Sequence, residues 1–170
     1  MSKALVAYYS RAGENYVSGT LKKLPIGNTE AAADIIAKIT GADTFRIEQV
    51  IPYSESYSTC TAQAKDDQQN GARPQLKIFP DSLDDCDVIY LGYPNNWNTM
   101  PMAVFTFLEH FDFTGKTIMP FCTHEGSGMG KSEADIKKLC PTANVKRGLA
   151  VYGSRVGMAE KDIERWIKKI

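Results

Sequence analysis

Cys86-Asp87-Val88-Ile89-Tyr90-Leu91-Gly92-Tyr93-Pro94-Asn95-Asn96-Trp97-Asn98 is the stretch whose reading decides the fold. Val88 to Leu91 is an apolar run of the length of a buried strand. It breaks at Gly92, Pro94 and two asparagines, and sets Trp97 just beyond the strand end. Thr99 and Pro101 follow, and then Val104, Phe105, Leu108 and Phe111 keep a helical spacing. A strand, a polar loop carrying a large aromatic and then a helix is how an α/β sheet builds a crevice. Ligands in such sheets bind outside the carboxyl ends of the strands.

Working outward, Ala4 to Ser10 is apolar nearly throughout, as a strand covered on both faces should be. It runs into Ser10-Arg11-Ala12-Gly13-Glu14-Asn15, a small and polar loop, and Tyr16 to Ile26 reads as irregular. Asn28 is the expected N-cap of the next helix. Ala32, Ile35, Ile36 and Ile39 form that helix's buried face, and Gly41 stops it. Its N-terminus therefore lies near the end of strand one, where free N–H groups suit an anion. Asp43 to Glu48 alternates, as a strand nearer the sheet edge does. The polar excursion that follows contains a short helix from about Thr61 to Gln69. Beyond the opening stretch, Lys116 to Thr123 is a fourth strand, although Pro120 argues against a central position. It ends in the glycine-rich loop Thr123 to Gly130, and a helix runs on to about Cys140. Val145 to Tyr152 is the fifth strand, and Ile163, Trp166, Ile167 and Ile170 mark a last helical face.

Five strands alternating with helices imply a doubly wound parallel sheet in one domain spanning residues 1–170. In the strand order 2-1-3-4-5, the loops after strands one, three and four meet at the switch point. Twenty basic and twenty acidic residues cancel, so no net field favours nucleic acid or an anionic membrane. The longest apolar runs are strand-sized, and the start reads directly into a strand, with no secretory signal expected. Cys60, Cys86, Cys122 and Cys140 are scattered without a CxxC, which suits reduced thiols in the cytoplasm. With His110 and His124 as the only histidines, no metal site is expected.

Three segments carry a resemblance to the flavodoxin family that spans essentially the whole chain. They are Ser10-Arg11-Ala12-Gly13-Glu14-Asn15-Tyr16 with Gly27-Asn28-Thr29, then Pro94-Asn95-Asn96-Trp97-Asn98-Thr99-Met100-Pro101, and finally Thr123-His124-Glu125-Gly126-Ser127-Gly128. The resemblance implies a flavodoxin-like fold binding FMN without a covalent link, with the flavin carrying the chemistry. Ser10, Arg11, Ala12 and the Asn28-Thr29 cap would serve the phosphate, with Asn15 or Thr29 as the further contact. Trp97 would be the lid of the ring, with Pro94 and Asn98 among the cofactor-binding residues. Asn95, Asn96 and the Thr123, His124, Glu125, Gly126, Ser127, Gly128 loop would bind its pyrimidine edge. Relative to the family, Ala12 stands where a hydroxyl is common, an insert separates Gly13 from Gly27, and the third loop lacks a tyrosine.

Several residues keep two readings. Arg11 is either a phosphate clamp or a solvent-facing cation. His124 is an exposed loop residue, a proton donor to reduced flavin or a contact to a second substrate. Glu125 is exposed or disfavours the anionic reduced flavin. His110 complements its helix dipole. Tyr53 and Tyr57 are read as surface residues rather than covers of the crevice, and Trp166 as packing. The functional reading is electron transfer between protein partners. The alternative is an FMN-dependent NAD(P)H:quinone reductase, or a reductase of another small acceptor. A flavin-free signalling or scaffold module is a third reading, but the strand ends Tyr9-Ser10 and Tyr93-Pro94 lack a receiver's acidic cluster. The expected partners are FMN and a redox protein or small acceptor, with the chain a monomer or weak dimer.

Overall fold

A computed structural model of the protein describes residues 3–170. In chain order the elements are β1 (Lys3–Tyr8), β2 (Gly13–Val17), β3 (Thr20–Leu24), α1 (Asn28–Thr40), β4 (Asp43–Arg46), α2 (Tyr57–Gln69) and β5 (Cys86–Pro94). There follow α3 (Met102–His110), β6 (Thr117–His124), α4 (Ser132–Leu139), β7 (Asn144–Val145), β8 (Leu149–Tyr152), a 3-10 helix (Gly153–Met158) and α5 (Glu160–Ile167). The central sheet runs β4-β1-β5-β6, with β7 and β8 both on the far edge of β6. Every pairing in it is parallel.

The expected five-strand order 2-1-3-4-5 is met in part: β4, β1, β5 and β6 stand in that sequence, but the last position is shared by two strands and β2 and β3 form a sheet of their own. The fifth strand is two short pieces, because the ladder is interrupted beside Pro120. β7 pairs with Thr117 and Ile118, and β8 with Phe121 to His124, leaving Met119 and Pro120 without an edge partner. Proline has no N–H to give a neighbour. Gly148 crosses this gap so closely that a Cβ there would lie 3.0 Å from the Pro120 carbonyl. Pro120 thus sits inside a genuine strand, tolerated by a break next door.

The segment expected to be irregular is also ordered. Tyr16 to Ile26 contains most of an antiparallel hairpin, β2 with β3, paired from Gly13↔Leu24 to Val17↔Thr20. Ser18 (φ 51) and Gly19 (φ 83) make its two-residue turn with the left-handed angles that suit hairpin twist. Gly27, not Asn28, occupies the N-cap of α1, and Asn28 is its first helical residue. The capping acceptor comes from outside the helix: Glu30 N–H donates to Ser10 Oγ at 3.0 Å. Gly41 ends the helix in the left-handed conformation, as expected. α2 starts a turn before Thr61, where Ser56 Oγ accepts from Thr59 N–H.

Alternation along β5 divides the core. Ile89, Leu91 and Tyr93 pack on one face with Phe107 and Leu108 of α3. Tyr90 joins Val6, Ala33, Ile36, Phe121 and Trp166 on the other. Trp166 is packing, its indole N–H donating to the Arg147 carbonyl at 3.0 Å. Ile170 falls beyond the end of α5 and is exposed, so it is not part of that helix's buried face. His110 closes α3 and stacks on Phe79 at 3.7 Å between ring centres.

Gly92 is the position with least tolerance. A Cβ on it would lie 2.1 Å from the fully buried Phe121 ring. We expect Gly92→Ala to lower stability by about 1–3 kcal/mol through overpacking. Urea denaturation would measure this, and an unchanged midpoint would mean that the two layers yield there.

Candidate functional site

The carboxyl ends of β1, β5 and β6 open into a cavity of about 610 Å³. Of the residues expected from the sequence, Ser10, Arg11, Asn15, Asn28, Thr29, Pro94, Asn95, Asn96, Trp97, Asn98, Thr123, His124, Glu125 and Ser127 line it. Ala12 does not. It faces a neighbouring depression that it shares with Arg46. Gly126 and Gly128 also lie outside the wall, although the Gly128 carbonyl accepts from Asn95 Nδ2 at 2.8 Å.

One end is built by close approach of the β1 loop to α1. A Cβ on Gly27 would lie 2.2 Å from Ser10 Oγ and 2.7 Å from the Arg11 carbonyl, so glycine is required for this contact. Thr29 and Thr123 then join hydroxyls at 2.7 Å, both buried, tying the start of α1 to the end of β6. With Glu30 N–H taken by Ser10, the N–H groups of Asn28 and Thr29 have no partner among the described residues. They remain at the positive end of the helix dipole.

Two side chains expected here act otherwise. Arg11, expected as a phosphate clamp or a solvent-facing cation, has its guanidinium occupied by backbone carbonyls. Its guanidinium donates to the carbonyls of Glu14, Ser54 (2.9 Å) and Glu55 (2.6 Å). Asn15 donates back to the Arg11 and Gly13 carbonyls at 2.9 and 3.2 Å. Both brace the loop and hairpin, and the Thr29 side chain is committed to Thr123. What remains available at this end is backbone N–H and the Ser10 hydroxyl proton.

The other end presents Trp97. Asn96 and Thr99 exchange backbone hydrogen bonds of 2.8 and 3.1 Å around a two-residue turn. Its central residues, Trp97 (φ 49) and Asn98 (φ 75), are both left-handed. That conformation costs a non-glycine residue roughly 1–2 kcal/mol. Four contacts hold it. Asn98 N–H donates to Asn95 Oδ1 at 3.0 Å, Gln68 Nε2 to the Trp97 carbonyl at 3.0 Å, and the indole N–H to the Thr61 carbonyl at 2.8 Å. The Lys65 ammonium stands 4.9 Å from the indole centre. Trp97 is still 47% exposed, so much of its ring remains free for a ligand.

Sequence reasoning missed a third wall. Tyr9, Tyr16, Tyr53, Tyr57, Cys60, Thr61 and Ala64, with Gly153, complete the cavity, so Tyr53 and Tyr57 are not simply surface residues. The reason is the bracing by Arg11, which binds the 54–55 segment to the hairpin. Tyr57 N–H donates to the Glu14 carboxylate (2.8 Å), and Tyr16 stacks on Tyr57 with centres 6.1 Å apart. The available signals were the Ser18-Gly19 turn pair and the Ser56 cap, both inside polar stretches. Burial raises the Tyr9, Tyr53 and Tyr57 pKa values, with a bond to Asp67 acting further on Tyr53, so these phenols stay protonated. Burial likewise raises Cys60 and pushes Cys122 up to about 12, leaving both as thiols.

His124 is half-buried, and desolvation lowers its pKa, partly opposed by Glu125. Gly126 N–H donates to His124 Nδ1 at 2.9 Å, which leaves the proton of the neutral ring on Nε2. Its ring lies 4.5 Å from that of Tyr152. Glu125 Oε1 is buried without a hydrogen-bond partner.

A doubly wound parallel sheet whose three loops frame a crevice of this kind defines the class. The flavodoxin family model matches residues 3–170, and the chain belongs to the flavodoxin family. A protein of Bacteroides eggerthii DSM 20697 assigned as a flavoprotein is 28% identical with a TM-score of 0.76, covering 100% of this chain and 98% of its own. A counterpart from Bacteroides uniformis ATCC 8492 is 28% identical at 0.75, covering 98% of both chains. A Lactobacillus acidophilus NCFM flavoprotein solved in complex with FMN reaches 0.68 at 18% identity, covering 93% of this chain and 98% of that one, a likeness of fold. No curated protein sequence matches the chain.

The hydroxyl pair between α1 and β6 yields a direct check. Thr29→Val strands the buried Thr123 hydroxyl and should cost about 1–2 kcal/mol. Thr29→Val with Thr123→Val should recover part of that loss in urea melts. Additive losses would show that the pair is not coupled.

Proposed function

We propose that the protein binds FMN non-covalently and transfers electrons through it. The observation that carries this is one cavity with two unlike ends: unpaired α1 N–H groups at one and a presented indole at the other. The donor set fits the ligand. Asn28 and Thr29 N–H groups, with the Ser10 hydroxyl beside them, would hold the phosphate without a compensating cation. Trp97 would cover the ring, and Asn95, Asn96 and the 123–128 loop would bind its polar edge. Bound FMN supplies the redox chemistry, while the chain sets ring environment, orientation and water access.

Two kinds of electron acceptor fit a family member of this sort, a redox protein or a small molecule. One feature supports the second: the tyrosine wall extends the cavity beyond the three flavin loops and offers apolar surface to a planar acceptor. On that reading the protein is an FMN-dependent reductase taking hydride from NAD(P)H. No helix among the described residues is long and apolar enough to cross a membrane. We place the protein in the cytoplasm, where its four buried free thiols stay reduced.

The test is the visible spectrum after incubation with FMN and desalting. A retained flavin band is expected, and its absence after reconstitution would reject the cofactor. Trp97→Ala should weaken FMN binding by about 1–3 kcal/mol, read by fluorescence titration. Unchanged affinity would remove the indole from the site. Steady-state assay with NAD(P)H and a quinone then separates the two acceptors, since negligible turnover counts against the reductase.

A further inference from the structure

The overall balance of charge conceals a division along the chain. Residues 131–170 carry ten lysines and arginines against five acids, and residues 1–130 carry ten against fifteen. The fold gathers the basic part at one edge of the sheet. There α4 covers one face through Ile136, and α5 covers the other through Ile163 and Trp166. Both helices are tied to the loop between β7 and β8. Gly148 N–H donates to Glu133 Oε2 at 2.8 Å, and the Trp166 indole to the Arg147 carbonyl at 3.0 Å. Nine of the ten cations are exposed. Two of the five acids, Glu133 and Asp135, are half-buried and engaged by Gly148 N–H and the Thr99 hydroxyl. The surface of this edge is therefore more basic than the composition of its segment.

Arg147, Arg165 and Lys169 rim a depression of about 330 Å³ beside Trp166, with Asp162 as its one acid. Asp162 pairs with Arg165 at 3.5 Å. Arg147 and Lys169 meet no carboxylate within 4.0 Å among the described residues. Lys161 and Arg165, four apart on α5, set like charges side by side, a repulsion that a partner's carboxylates relieve. The same edge leads to the cavity. The 3-10 helix begins at Gly153 in the cavity wall and carries Arg155 outward. The Arg155 guanidinium stands 5.1 Å from the Tyr152 ring centre, and that ring lies 4.5 Å from the ring of His124, also in the wall. Tyr152, Arg155 and Met158 are all exposed. We infer that this basic edge docks an acidic redox protein, which exchanges electrons with the flavin on the Tyr152 side of the cavity. The inference rests on the FMN reading above and names its partner. A polynucleotide suits the molecule less, because the rest of the chain carries the excess of acids and repels an extended polyanion.

The probe is a reduced plant-type [2Fe–2S] ferredoxin, an acidic protein whose cluster gives one electron, so that two ferredoxins reduce one flavin. Stopped-flow mixing with the oxidised, FMN-loaded protein gives a second-order rate. That rate should fall steeply as the Debye length shrinks from about 30 Å in dilute salt to about 3 Å near 1 M. Arg147→Glu with Lys169→Glu should lower it by roughly tenfold or more at low salt and remove most of the salt dependence. Lys3→Glu with Lys77→Glu makes the same charge change at the opposite edge, beside β4, and should have a far smaller effect. Matching urea midpoints establish that both double variants fold. A rate indifferent to salt would overturn the docking face, and so would equal losses in the two double variants, which would show an effect of net charge alone. Calorimetric titration at low salt supplies the other arms. Tighter binding of basic cytochrome c than of ferredoxin would overturn the inference in favour of the acidic surface. A short DNA duplex bound where ferredoxin is not would overturn it in favour of nucleic acid. A chain that retains no flavin fails the FMN reading instead, and the ferredoxin titration still decides the docking face.

Discussion

The site depends on how closely the start of α1 is drawn onto the sheet. Gly27 passes Ser10 and Arg11 at a distance no side chain would allow, and the Thr29–Thr123 hydroxyl pair fixes the next residue over β6. Ser10 then caps the helix from the neighbouring loop. Had Asn28 capped its own helix, as the sequence suggests, that amide would compete for the N–H groups that an anion needs. Capping from outside satisfies one orphan donor at Glu30 and leaves two open. The helix is held and its anion end remains available, and the exacting element is a glycine rather than a charged residue.

Arg11 serves the neighbouring segments instead. Its guanidinium binds three carbonyls of the hairpin and the 54–55 segment, which a planar group with several fixed donors does well. The hairpin inserted between Gly13 and Gly27 is thereby part of the site. It carries Tyr16 against Tyr57 and anchors the N-terminus of α2 through Glu14. The tyrosines that line the cavity come from chain segments that precede β5, not from the third loop.

Legibility in the sequence followed periodicity. β5, α1 and the three loops were readable because apolar runs end abruptly in glycine, proline and asparagine, and parallel strands in a double-wound sheet must place those ends together. The hairpin and the first turn of α2 were not. Gly13 to Leu24 has no consistent apolar alternation, and Tyr57 to Gln69 is a polar helix. Both are stabilised by contacts between segments some 43 residues apart, such as Arg11 to Ser54, which no local window contains. The broken fifth strand was half legible: Pro120 signalled an irregularity, but its effect falls on the neighbouring strand. Ala12 and Arg11 were assigned by position in a motif, and the structure turns one to another depression and the other to bracing.

Trp97 shows the same economy at the opposite end of the cavity. A tryptophan in a left-handed turn position is strained, and an asparagine or glycine would sit there more easily. The strain is balanced by bonds from its own turn and from α2, and the one from the indole N–H to the Thr61 carbonyl also fixes the direction of the ring. Lys65 is not among the residues that line the cavity, and its ammonium stands 4.9 Å from the indole centre. The ring is thus oriented before any ligand arrives, and binding need not supply the entropy of ordering it. An unstrained, mobile tryptophan would offer the same surface but require that ordering at the moment of binding. The left-handed turn is therefore better understood as preorganisation than as a defect of the loop.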